Sequence, residues 1–218
     1  MTLMDVPSTR ERVEEELASD PRIDTRRVYV AIKDGIVRLT GVVHTFAEKT
    51  AAQEAAHRAL GVQDVANDIM VIPAQERPDV EIARAVRHTL EWDVYVPQDR
   101  IQSTVADGWV VLTGHVPHYF QRMDAGEAIR RLNGVRGVTN KIDVLPEDAA
   151  AADARERIRQ ALKRQTGKGG DQIAITIHDG SLTLSGQVRN WAERKAVISA
   201  AAHMPGVRAV IDDLCVRP

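Results

Sequence analysis

The chain has 218 residues, 44% of them hydrophobic and 28% charged, a globular balance that excludes a disordered chain. Its 29 Lys and Arg against 31 Asp and Glu leave a net charge of −2, without the basic excess of a whole-chain nucleic-acid binder, so no nucleic-acid partner is expected. A single cysteine, Cys215, excludes an intramolecular disulfide framework and a cysteine-built zinc site. The segment from Met1 to Leu17 has neither a basic start nor an apolar stretch, and Glu14–Glu16 fall where such a stretch would lie. No uncharged apolar run approaches the roughly 18 residues of a membrane span. A cytoplasmic location is the expectation.

The sequence repeats itself. Asp-Gly occurs at 34–35, 107–108 and 179–180, at intervals of 73 and 72 residues. A Gly-x-Val comes after each (Gly41, Gly114, Gly186), then a Gly-Val (Gly61, Gly134, Gly206), a lone Val (Val65, Val138, Val210) and a closing proline (Pro73, Pro146, Pro218). Upstream, Val13, Val86 and Ile158 align, as do Leu17, Leu90 and Leu162. The register defines three units, 6–73, 79–146 and 151–218, separated by short polar joints.

Each unit begins with a helix. Ser8 with Glu11, and Asp153 with Glu156, have capping-box spacing, and the apolar residues beyond them recur at helical intervals. A β-hairpin comes next, because Asp-Gly between alternating apolar residues suits a type I′ turn. Pairing across Asp34-Gly35 sets Ile32 opposite Val37 and Val30 opposite Leu39. In the third unit Ile177 faces Leu182 and Ile175 faces Leu184, while the second unit places Ser103 opposite Leu112. The second helix is capped by Thr45 with Glu48 and by Asn190 with Glu193, and is rich in alanine. Its Gly-Val is expected to supply a left-handed C′ residue and a valine that packs back on the helix. Pro205 predicts a helix one turn shorter in the third unit. A final strand alternates: Val65, Asn67, Ile69, Val71; Val138, Asn140, Ile142, Val144; Val210, Asp212, Leu214, Val216. The predicted fold is α+β: three tandem α-β-β-α-β units, each with two helices on one face of a three-stranded mixed sheet. A unit this small is marginal alone, so contacts between units are expected to add stability.

Asp-Gly, Leu-Thr-Gly-x-Val, an alanine-rich helix and Gly-Val-x-x-Val-x-Asn-x-Ile-x-Val together resemble the BON domain of bacterial osmotic-stress and secretin-associated proteins. Leu112-Thr113-Gly114 and Gly134–Asn140 carry the likeness most closely. The resemblance implies a stress-related, non-enzymatic binding protein without a cofactor. It also implies partners such as phospholipid surfaces, envelope proteins or potassium ions.

Several residues stand out as candidate sites. The motif glycines could cradle a phosphate, but each also has a backbone reason to be glycine. Asn67, Asn140 and Asp212 fall on the face that should be buried, where a polar group needs a partner. Two readings are open: a hydrogen bond to the Gly-Val turn or a local bulge, or an oxygen ligand for potassium or another hard cation. His115 and His118 lie close together but lack a third ligand in the motif. Thr166–Gly170 departs from a P-loop in its glycine spacing and in lacking a Ser or Thr after the lysine. No nucleophile set recurs. The third unit holds 11 Lys and Arg and 7 Asp and Glu, a net of +4, and its first helix carries Arg155, Arg157, Arg159, Lys163 and Arg164, with Lys168 just beyond. Such a face could dock on anionic lipid headgroups. The outer sheet faces present Tyr29, Ile36, Met70 and Ile72 in the first unit and Trp109, Val111 and Leu145 in the second, surfaces suited to association with another unit or another copy. Three functions therefore compete: a membrane- or protein-surface adaptor, an ion-responsive binder, and a self-assembling scaffold.

Overall fold

The computed structural model describes residues 8–145 and 173–216. The chain divides into two compact bodies, one ending at Ala74 and one spanning Gln75–Arg217, which contains the second and third repeats.

In the first body, α1 (Thr9–Ser19) starts at Ser8, whose side chain and Glu11 form the expected capping box. The hairpin is built of β1 (Val28–Lys33) and β2 (Ile36–Val43), and after it come α2 (Phe46–Arg58), β3 (Asp64–Asn67) and β4 (Met70–Val71). β1 pairs antiparallel with β2, and β3 and β4 extend the sheet in parallel on the other side. The expected register holds, with Val30 opposite Leu39 and Ile32 opposite Val37. Val13, Leu17, Val37, Leu39, Val43 and the alanines of α2 form the core between helices and sheet. Alanine is what lets α2 lie against the strands.

An ion cluster closes this layer where α1 ends. The Asp20 carboxylate is buried and accepts Nε and Nη2 of Arg22 at 2.9 and 2.8 Å. Arg58 of α2 donates to Asp20 at 3.3 Å and to Glu16 at 2.9 Å, tying the two helices together. Arg22 holds the Asp20 carboxyl well below the usual carboxylate range.

The second body repeats the plan. α3 (Asp79–Trp92), β5 (Ile101–Ala106), β6 (Trp109–Val116), α4 (Tyr119–Arg130) and β7 (Gly137–Val144) form one layer pair. β8 (Ile173–His178), β9 (Ser181–Val188), α5 (Trp191–Ala202) and β10 (Ala209–Val216) form the next. Both sheets place the first two strands antiparallel and the last parallel to the middle one, with Ser103 opposite Leu112 and Ile175 opposite Leu184. The first helix expected in the third unit, with its Asp153–Glu156 cap, lies outside the described residues. A turn of 3-10 helix, absent from the sequence reading, leads into β1 at Thr25–Arg27 and into β5 at Gln98–Arg100.

The hairpin turns are type I′. Asp34, Asp107 and Asp179 have φ of 52°, 50° and 48°, and the glycine after each is also positive. Gly41 and Gly114 are needed for a different reason. A Cβ at either would lie 2.0 Å from a backbone carbonyl oxygen, of Arg27 or Arg100.

Two expectations are corrected. Gly61, Gly134 and Gly206 are not C′ residues. Each helix has already ended, and the glycine is the third residue of a subsequent β-turn closed by Val62, Val135 or Val207, whose N–H reaches back three residues. The valine is buried in the core as expected. Pro205 does not shorten its helix either: α5 stops four residues before its glycine, as α4 does, because the proline falls within the turn that every repeat already contains.

Candidate functional site

Asn67, Asn140 and Asp212 occupy one column on the helix side of their sheets. Each Oδ1 accepts the backbone N–H two residues on, from Ile69 at 3.3 Å, Ile142 at 3.1 Å and Leu214 at 3.1 Å. The rest of the side chain reaches the second helix. Asn67 Nδ2 donates to the Lys49 carbonyl at 2.9 Å, and Asn140 Nδ2 to the Arg122 carbonyl at 2.6 Å. A carboxylate cannot donate, and in the third repeat Arg194, at the same helix column, donates its Nε to Asp212 Oδ2 at 2.7 Å. The partner is thus the helix, not the Gly-Val turn. A local break does occur in the first repeat, between β3 and β4. These side chains pin helix to strand with both ends of the group engaged.

The residues proposed from the sequence as outer-face contacts lie where the alternation puts them. Tyr29, Ile36, Met70 and Ile72 are exposed, as are Trp109 and Leu145, and Val111 is half-buried. Trp109 lies flat on its own sheet. Its ring covers Gly137, where a Cβ would approach to 2.5 Å, and its Nε1 donates to Thr139 at 2.9 Å. The basic residues Arg155, Arg157, Arg159, Lys163, Arg164 and Lys168, and the glycine-rich stretch 166–170, lie outside the described residues. Among the described residues no group of three or more His, Cys, Asp or Glu is placed to hold a metal ion. His115 is exposed, and the His118 ring stacks on Phe120 instead. No described helix is long and apolar enough to cross a membrane.

The sequence reading missed the end of α3 and the loop after it. Trp92, Val94 and Tyr95 stand 75%, 92% and 67% exposed within four residues. Solvated apolar side chains grouped this tightly mark contact surfaces. The corresponding residues of the first repeat are Ser19, Pro21 and Arg22. Thus the Arg22–Asp20 ion pair gives way to Tyr95 beside Asp93, and a charged closure becomes an apolar tip. Comparing Arg22 with Tyr95 by column would have exposed the change.

The tip is held firmly. Gln121 of α4 donates to the Tyr95 carbonyl at 2.7 Å, Tyr95 N–H is taken by Asp93 at 3.0 Å, and Trp92 Nε1 donates to His88 at 2.9 Å. The Tyr95 ring meets Phe120 edge-on at 6.3 Å. Phe120 in turn stacks on two imidazoles, His118 at 5.6 Å and His203 just after α5 at 5.2 Å, all nearly parallel. Tyr119 packs on the third repeat's core, so α4 joins the second repeat to the third. Burial and the nearby Asp93 carboxylate push the Asp124 carboxyl up, while His203 pulls it down.

Three copies of one α+β module, two of them joined through α4 and α5, define a tandem-repeat protein whose distinctive chemistry lies on its surfaces. The BON domain model matches residues 5–73, 78–146 and 150–218. The chain belongs to the BON domain family. No curated protein matches it. Among solved structures it is similar to CdsD, a structural protein of the type III secretion system of Chlamydia trachomatis, at 15% identity and a TM-score of 0.26 over 95% of this chain and 91% of that one. It is also similar to the PrgH periplasmic domain, at 12% identity and a TM-score of 0.22 over 88% and 95%. Superpositions this weak carry no functional information.

Proposed function

We propose that this chain is a non-enzymatic surface-binding protein whose second repeat seats Trp92, Val94 and Tyr95 in the interfacial layer of a phospholipid bilayer. The observation that carries this is the exposure of those three side chains at the braced end of α3, where the first repeat has Ser19, Pro21 and Arg22. Trp and Tyr suit the boundary between headgroups and acyl chains, where the ring is buried and the polar edge stays wet. Burying most of these side chains contributes roughly 3–6 kcal/mol before the costs of docking, enough for weak, reversible attachment. Glu91 and Asp93 flank the tip, so this contact favours neutral over anionic lipid. The basic residues of the third repeat have the opposite preference, and the two contacts separate by salt dependence.

Co-sedimentation with phosphatidylcholine vesicles at about 0.15 M salt tests the reading. The full chain is expected to sediment with the vesicles, with a blue shift of tryptophan emission. W92A/V94D/Y95A is expected to stay in solution. Equal sedimentation of the two proteins, or no sedimentation of either, refutes the bilayer reading.

A self-assembling role rests on the exposed outer faces around Tyr29, Met70 and Trp109, and light scattering at high concentration checks it. A potassium-binding role finds its candidate ligands already engaged in hydrogen bonds within each repeat.

A further inference from the structure

The stacked rings between the second and third repeats come from three departures from the repeat pattern. Phe120 stands where the first repeat has Ala47 and the third Ala192, and Asp124 where they have Ala51 and Ala196. His203 stands where the first and second repeats have Arg58 and Arg131. Each change occurs in one copy only, yet the three meet. The His203 ring lies parallel to Phe120 at 5.2 Å, and its charge acts on Asp124.

The column of His203 shows what a cation does there. It lies at the carboxyl end of the second helix of each unit, where the helix dipole favours positive charge. Arg58 reaches Glu16 at 2.9 Å and Asp20 at 3.3 Å and ties α1 to α2. Arg131 reaches Glu127 of its own helix at 3.2 Å. Both are permanent cations. The third repeat has an imidazole instead, the side chain that gains its charge between about pH 8 and about pH 5. His203 Nδ1 donates to the Ser199 carbonyl at 2.7 Å, so Nε2 is the nitrogen that takes up the second proton. The residue is exposed, so that proton comes from solvent.

A charged imidazole is drawn to the face of the Phe120 ring and to the Asp124 carboxylate. Asp93, just after α3, adds a second negative charge beside Asp124. Two neighbouring cations are already engaged: Arg122 of α4 lies over the Tyr119 ring at 5.8 Å, and Arg194 of α5 is taken by Asp212 at 2.7 Å. Lys195 lies about two turns before His203 on α5. His118 stacks on the same Phe120 but caps the amino end of α4, the wrong end of a helix for a positive charge.

We propose that Phe120, Asp124 and His203 form a proton-operated clasp, which holds the second and third repeats together more tightly at mildly acidic pH than at neutral pH or above. The clasp has an acid limit as well. Burial and Asp93 raise the Asp124 carboxyl above the ordinary aspartate value, so as pH falls it is neutralised sooner than a solvated aspartate, and its attraction for His203 goes with it.

Hydrogen exchange of the full chain, with each amide rate divided by its intrinsic rate at the same pH, tests this. Protection in α4 and α5 is expected to rise about threefold or more from about pH 8 to about pH 6. Protection in α2, where Arg58 fills the column, is expected to stay level. H203Q keeps a donor for the Ser199 carbonyl but takes up no proton, and its protection should stay at the high-pH value throughout. D124N should reduce the rise, and H118Q should leave it intact. Far-UV circular dichroism checks that each variant is folded. A flat wild-type profile, a rise that survives in H203Q, or a rise that is lost in H118Q overturns the proposal.

Discussion

Exchanging Asn and Asp at the helix-pinning column tests whether these residues are fasteners or ion ligands. In the second repeat, Asn140→Asp removes the amide that donates to the Arg122 carbonyl at 2.6 Å and sets a carboxylate against that oxygen. Losing this part-buried hydrogen bond costs about 0.5–1.5 kcal/mol, and charge repulsion adds to it. In the third repeat, Asp212→Asn discharges the partner of Arg194, and the loss of this half-buried ion pair costs about 1–2 kcal/mol. The same chemical exchange is therefore expected to destabilise in both directions. Each kcal/mol lowers the melting midpoint by about 4–8 °C in a unit of this size. Urea titration monitored by tryptophan emission reads both variants, since Trp92 and Trp109 report the second repeat and Trp191 the third. A cation site predicts the opposite for Asn140→Asp, because an added carboxylate tightens a potassium site and potassium would then stabilise the variant. A neutral effect of either exchange, or stabilisation of Asn140→Asp by potassium over sodium, refutes the fastener argument.

Two further outcomes are expected. Asp20 is ionised by its partners in the folded state, so its contribution is complete above the ordinary aspartate value of 3.8 and is lost as pH falls below it. Asp20→Asn should cost about 1–2 kcal/mol at pH 7, since Arg22 and Arg58 can rehydrate, and should flatten the acid limb of the stability curve. Far-UV circular dichroism sees this, and a variant with the wild-type acid limb would count against it. Phe120→Ala removes the stacking on His203 that crosses from α4 to the end of α5, together with the His118 contact within the second repeat, each worth about 0.5–1.5 kcal/mol. Hydrogen exchange should then quicken in both helices, and a change confined to α4 would show that the stacking does not couple the repeats.

The fold is written in local signals. Asp-Gly turns, alternation and capping boxes each act over a few residues, and three aligned copies remove the one-residue ambiguity of strand register, because a slip would turn every apolar side chain to the wrong face. Hence Val30 opposite Leu39 and Ser103 opposite Leu112 are legible in the residues alone. The partner of each polar group is not local, and it emerges only when the layers pack. Asn140 reaches a helix carbonyl 18 residues away, and Asp212 needs Arg194, distances through space that no periodicity encodes. The helix end near Pro205 differs from expectation because a β-turn, not a helix cap, surrounds the glycine. The tip at Trp92–Tyr95 and the junction at Phe120 were hidden for a related reason. Both arise where one repeat departs from its copies, and whether a departure exposes a ring or stacks it on another repeat depends on what the neighbouring elements place beside it.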